Sequence, residues 1–229
     1  RISLAAAASI ELLHCASLVH DDLPAFDNAD IRRGKPSLHK AFGEQVALLA
    51  GDALIVMAFE TLALESASDP SVLAQLVQII AASVGAPRGI VAGQAWESEQ
   101  RINLANYHQE KTGALFAAAT MAGAASCNYD PEEWRHLGIT VGESYQIADD
   151  IRDVCASSEE IGKPTGQDEA NNRPNIAREM GVDQAVLLLK RMISEAIENI
   201  PGCPLREKLQ KQIAAEGQRF LPESMRDVA

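Results

Sequence analysis

The sequence predicts an all-α protein, a single-domain helical bundle. Three observations predict it. Apolar residues recur with helical period along most of the 229 residues, two-residue alternation of the strand kind is absent, and Gly/Pro breakers separate the periodic stretches. At 47% hydrophobic but only 4% aromatic, the chain can build a large core from aliphatic residues and Ala. No composition shift marks a boundary, so one domain is expected over 1–229.

Taken in order, helices are expected over 4–22, 44–66, 70–86, 88–102, 104–126, 132–156, 182–199 and 203–218. The first is the Ala- and Leu-rich "LAAAASIELLHCASLVH", stopped by Pro24, which removes a backbone N–H and clashes with the preceding turn. Gly34-Lys35-Pro36 separates it from the second. That second helix contains "VALLAGDALIVMAFETLAL", whose Asp52 and Glu60 mark it as a core helix and not a membrane span. Asp69-Pro70 and Asp130-Pro131 each fit an N-cap followed by Pro at the first helical position. Ala86-Pro87 divides the third helix from the fourth, and "GKPTGQDEANNRPN" at 162–175 precedes the last two. The first residue is Arg and lies almost inside a helix, so the chain is expected to lack its N-terminal helices.

The net charge of −12 argues against nucleic acid or an anionic membrane surface as partner. Cys15, Cys127, Cys155 and Cys203 are scattered without metal or disulfide spacing, which suits a reducing, cytoplasmic setting.

Two acidic clusters stand out. Asp21 and Asp22, with Asp27 close behind, close an apolar helix at the end where its dipole is already negative. Asp149, Asp150 and Asp153 lie in "SYQIADDIRDV", again near a helix C-terminus, with Asp149 and Asp153 four apart on one face. An Asp-Asp pair is usually part of a solvated face. Here each pair has a third Asp, an apolar setting and an unfavourable dipole, and a multivalent cation among them reconciles all three. Oxygen-only ligation selects a hard ion, and Mg²⁺ takes few carboxylates and completes its octahedron with water and phosphate oxygens. An acidic protein can then hold an anionic phosphate. Arg32, Arg33, Lys111 and Lys163 stand near the clusters. Of these, Arg32 or Arg33 read alone suits a surface pair, and Lys163 a loop cation. Lys111 enters too apolar a helix for that. Bidentate Arg and point-charge Lys beside Mg²⁺ point to a diphosphate.

"DDLPAFDNADIRRGKPS" resembles the first aspartate-rich motif of the trans-isoprenyl diphosphate synthases, and "YQIADDIRDV" resembles their second. "AGQ" at 92–94, "EKTG" at 110–113 and "GKPTGQD" at 162–168 match the intervening and following motifs in order. The resemblance runs from about residue 4 to residue 175 and is greatest to bacterial geranylgeranyl diphosphate synthases of carotenoid and bacteriochlorophyll pathways. It implies an isoprenoid synthase fold around a central apolar cavity, a homodimer, and Mg²⁺-dependent head-to-tail condensation of isopentenyl diphosphate with an allylic diphosphate.

By the same resemblance, Asp21, Asp22, Asp27, Asp149, Asp150 and Asp153 hold Mg²⁺. Arg32, Lys111, Thr112, Gln146 and Lys163 bind the allylic diphosphate, and Arg33 and His14 bind isopentenyl diphosphate. A lone His on an apolar helix is more often a satisfied core group; its position upstream of Asp21 reverses that reading. The chain departs from the family in three places. A Gly-Lys-x-x-Arg-Pro segment is not in it, Asn28 and Ala29 stand where relatives often have Asp, and Arg173 stands where many have Lys.

Ala16 lies about 7.5 Å back along the helix from Asp21, with Ser17 one residue nearer. Family members that stop at fifteen carbons tend to carry a bulky aromatic at one of these positions. A twenty-carbon product, geranylgeranyl diphosphate, is therefore expected, with farnesyl diphosphate the alternative. A remoter reading is a di-iron carboxylate bundle, since Glu11-x-x-His14 and Glu133-x-x-His136 have the required spacing. It leaves the six Asp and the Arg/Lys set unexplained.

Overall fold

The computed structural model describes residues 1–96, 99, 107, 109–155 and 175–221. Helix α1 (Ile2–Asp21) buries Ala5, Ala6, Ser9, Leu13 and Ala16, a stripe with helical spacing. The chain then turns through a two-stranded antiparallel hairpin, β1 (Ile31–Arg32) and β2 (Lys35–Pro36). Helices α2 (Leu38–Phe42), α3 (Glu44–Ser66), α4 (Pro70–Val84) and α5 (Ile90–Trp96) follow. A π-helical turn at Gln109–Gly113 leads into α6 (Ala114–Ala125) and the long α7 (Glu132–Cys155). Beyond it lie α8 (Ile176–Met180), α9 (Val182–Glu198) and α10 (Arg206–Phe220).

The hairpin is the one departure from helix-only secondary structure among the described residues. Arg33 (φ 52°) and Gly34 (φ 73°) both occupy the left-handed region, the geometry of a two-residue turn matched to strand twist. Alternation could not announce strands two residues long. The expected helices over 88–102 and 104–126 are also shorter here: α5 ends at Trp96, and the π-helical turn precedes α6. Residues 97–98, 100–106 and 108 lie outside the described residues. At Asp69 the expected cap is present, its Oδ1 accepting from the Val72 amide at 3.2 Å, with Pro70 opening α4.

Among the described residues, three apolar clusters hold the bundle, the smallest of them joining α6, α7 and α9 through Ala124, Trp134, Leu137 and Ala196; the other two are larger. One joins α1, α3, α4 and α6 through Leu13, Leu62, Leu76, Ile80 and Ala122. The other joins α7 to α8, α9 and α10 through Ile147, Ile151, Ala177, Leu189 and Leu221. Each fully buried Leu or Ile among them contributes roughly 2 kcal/mol of transfer free energy.

The expectation that α3 is a core helix needs correction. Ala47, Gly51, Ala58 and Leu62 face inward, but Leu49 is 64% exposed, Val56 66% and Leu64 70%. Mean hydropathy reaches 1.7 in α1 and 1.9 in α3, and both helices have the length to cross a membrane. Only 22% of the most apolar stretch of α3 is buried.

Candidate functional site: two acidic helix ends and an apolar cavity

The C-terminal end of α1 carries the first acidic cluster. Asp22 is buried, and Arg32 of β1 covers its carboxylate. The Arg32 Nε donates to both Asp22 oxygens at 3.0 and 3.2 Å, and its Nη2 also contacts Oδ1. Asp21 is half-buried, with Lys111 Nζ 3.6 Å from its Oδ1. Lys111 reaches this position from the π-helical turn. Such turns insert one residue and re-aim side chains; this one delivers the ammonium to the end of a different helix. Asp27, half-buried, is placed by its own amide, which donates to the Asp21 carbonyl at 3.0 Å.

The second cluster lies on α7. Asp150 and Asp153 are buried, Asp149 half-buried. Asp150 Oδ1 accepts from Gln146 Nε2 at 3.0 Å, and its Oδ2 accepts from the Ile176 amide at 2.8 Å. Arg178 Nη2 donates to Asp153 Oδ2 at 3.2 Å. Thr112 Oγ1, next to Lys111, donates to Gln146 Oε1 at 3.2 Å and so connects the π-helical turn to α7. By burial the six carboxylates fall into two kinds: Asp22, Asp150 and Asp153 are buried, whereas Asp21, Asp27 and Asp149 are half-buried.

Arg33 Nη2 lies 3.4 Å from His14 Nε2. Guanidinium only donates, so His14 accepts through Nε2 and carries its proton on Nδ1. Burial, reinforced by the Arg33 and Arg32 cations and opposed by Glu11, lowers the His14 pKa from its usual value. Lys163 and Arg173 lie outside the described residues.

A cavity of about 300 Å³ runs back from Asp21, lined by Leu13, Ala16, Ser17, Ile55, Val84 and Ile90 among others. Ala16 is buried, and the Ser17 hydroxyl turns away to the His14 carbonyl at 2.8 Å. His20, which sequence reasoning passed over, also lines this cavity. Its ring crosses to α3, with Nε2 3.2 Å from the Leu48 carbonyl, over Gly51, where any Cβ would collide with the imidazole. Asn175 and Arg178 were missed as well. Asn175 had a legible signal as the N-cap of α8, its Oδ1 accepting from the Arg178 amide at 3.1 Å.

Among the described residues, no three His, Cys, Asp or Glu side chains converge closely enough to hold a metal ion unaided. The donor set still fits Mg²⁺, which takes one or two carboxylates and fills its remaining positions with water and phosphate oxygens. It does not suit a di-iron centre. Glu133 is exposed, and His136 is 65% exposed with its Nε2 3.7 Å from Glu195.

Comparison with known proteins points the same way. The family profile for polyprenyl synthetase matches residues 2–200. A geranylgeranyl diphosphate synthase of Cereibacter sphaeroides is 51% identical over 221 residues, covering 96% of this chain and 77% of that protein. One from Rhodobacter capsulatus is 54% identical over 209 residues, covering 91% and 72%. Among solved structures, a geranyltransferase from Helicobacter pylori complexed with magnesium and isoprenyl diphosphate superposes with a TM-score of 0.77 at 29% identity. That alignment covers 93% of this chain and 73% of the other.

Proposed function

The chain belongs to the polyprenyl synthetase family, and from that premise we propose that it condenses isopentenyl diphosphate head to tail with an allylic diphosphate. The main product is geranylgeranyl diphosphate. The observation that carries this reading is the apolar cavity opening at Asp21 beside Lys111. A prenyl chain fits the cavity while its diphosphate meets the charged mouth.

Of the six aspartates, the half-buried Asp21, Asp27 and Asp149 would hold Mg²⁺ directly, and the buried Asp22, Asp150 and Asp153 would steady the helix ends that present them. Mg²⁺, when bound, neutralises the diphosphate oxygens as a Lewis acid. Lys111 and Arg32 add positive charge where the leaving diphosphate gains negative charge. Thr112 and Gln146 orient the same region, and Lys163 belongs with them by the family motif. Arg33 and His14 hold isopentenyl diphosphate. The allylic C–O bond breaks, the isopentenyl double bond attacks the resulting cation, and a proton passes to the departing diphosphate. The walls contributed by Leu13, Ile55, Val84 and Ile90 keep water from that cation.

The apolar outer face of α3 suits a second copy of this chain, so the working unit is a homodimer. The free cysteines agree with a reducing, cytoplasmic location.

Incubation with isopentenyl diphosphate, Mg²⁺ and each allylic primer in turn, followed by sizing of the products, tests the reading. Twenty-carbon product that disappears with chelator supports it; no elongation from any primer rejects it.

A further inference from the structure

Glu110 precedes Lys111 in the π-helical turn and faces the other way. Its Oε2 accepts a hydrogen bond from the Gly89 amide at 2.6 Å, across 21 positions of sequence. Gly89 is the residue before α5, with φ +93° and no room for a side chain, because a Cβ there would strike the Ser83 carbonyl region at the end of α4. Ile90, Val91, Gln94 and Ala95 of α5 all line the cavity. One turn further on, Gly93 lies flat against the same π-helical turn. A Cβ at 93 would stand 2.7 Å from the Lys111 amide nitrogen and 2.8 Å from its Cα. Two independent contacts thus fix α5 against the five residues that aim Lys111 at Asp21.

We propose that Glu110 is a positioning residue for product length. By latching the Gly89 amide, it holds the Ile90–Val91 wall at a fixed distance from the Lys111 ammonium. The diphosphate grip and one side wall of the cavity are then set by one short turn, and the room left beside Ala16 for the growing chain follows from that separation. The inference rests on the reaction assigned above. The latch itself is a contact of the folded chain and stands apart from turnover.

Three variants separate acceptor geometry from charge. Glu110→Gln keeps an acceptor oxygen at the same reach, Glu110→Asp keeps the charge but falls short by one methylene, and Glu110→Ala removes both. Loss of the acceptor oxygen opens the local structure, so amide exchange at Gly89 should rise about tenfold in the Ala and Asp variants. The Gln variant should stay near the parent. In Mg²⁺ with isopentenyl and farnesyl diphosphates, the Ala and Asp variants should give a broadened set of chain lengths with KM for the allylic substrate unchanged. The Gln variant should give the parental product. Unchanged Gly89 exchange in the Ala and Asp variants overturns the latch. Faster exchange with the parental chain-length distribution overturns its role in product length, as does a Gln variant that behaves like Ala. If the parental chain elongates nothing, the assigned reaction fails, and Gly89 exchange still decides the latch.

Discussion

Thr112 Oγ1 donates to Gln146 Oε1 at 3.2 Å, and Gln146 in turn donates through Nε2 to Asp150 Oδ1 at 3.0 Å. Through this relay the turn carrying Lys111 and the helix carrying the second acidic cluster keep one arrangement. Gln146→Leu leaves Thr112 without that acceptor and Asp150 without one of its donors. It should cost about 2 kcal/mol of stability, read by urea unfolding. It should also raise KM for the allylic diphosphate and spare that for isopentenyl diphosphate. Equal increases in both KM values would show that the relay serves only general packing.

Arg32 and Asp22 form an ion pair at the C-terminal end of α1. Asp22 is only 3% exposed, so Arg32→Leu strands a buried carboxylate. The expected loss is about 3 kcal/mol, toward the low end for a broken buried pair because Arg32 is a quarter exposed. Adding Asp22→Leu to that variant removes the stranded charge and should recover much of the loss. A single variant as stable as the parent would contradict the anchoring role.

His14 makes a pH prediction. Its pKa is lowered below 6.5 chiefly by burial, so the unfolded chain binds this proton more readily than the folded one. The contribution of neutral His14 to stability is complete above pH 6.5 and declines as pH falls through the window beneath it. His14→Gln should flatten the melting temperature over that window. An undiminished slope would assign the acid sensitivity to other groups.

Ala16 is buried and lines the cavity one and a half helical turns behind Asp21. A phenol ring there would fill cavity space lined by Leu13, Ser17 and Ile55. Ala16→Tyr should therefore shift the product from twenty carbons to fifteen, as seen by sizing the released alcohols. A product distribution identical to the parent's would remove Ala16 from the floor of the cavity.

Much of this architecture was legible in residue pattern. The helical period located α4, α7 and α9, whose apolar stripes repeat over several turns, whereas α1 and α3 were legible as long Ala- and Leu-rich stretches between breakers. The acidic clusters were legible because Asp at the end of an apolar helix opposes the dipole. What pattern could not show was burial within a cluster. Asp149 and Asp150 are neighbours in sequence, yet Asp149 is half-buried, whereas Asp150 is buried with its oxygens on Gln146 and the Ile176 amide. That difference comes from α8, which follows α7 only after 19 residues outside the described set. Glu110 was quoted as part of a motif, but its partner Gly89 lies on another element. Its role emerges only when α5 and the π-helical turn are seen side by side. The outward face of α3 was misjudged for a related reason, since apolar residues on both faces of a helix do not reveal which face the bundle covers.

The central claim is that the two acidic helix ends share one diphosphate through Mg²⁺ at the cavity mouth. A crystal structure with Mg²⁺ and a prenyl bisphosphonate tests it most directly. The account predicts ions bridging the phosphonate to Asp21, Asp27 and Asp149, with Lys111 on the phosphonate, Asp22 still on Arg32, and the prenyl chain beside Ala16. A bisphosphonate bound away from Asp21, or ions engaging only one of the two helix ends, would contradict it.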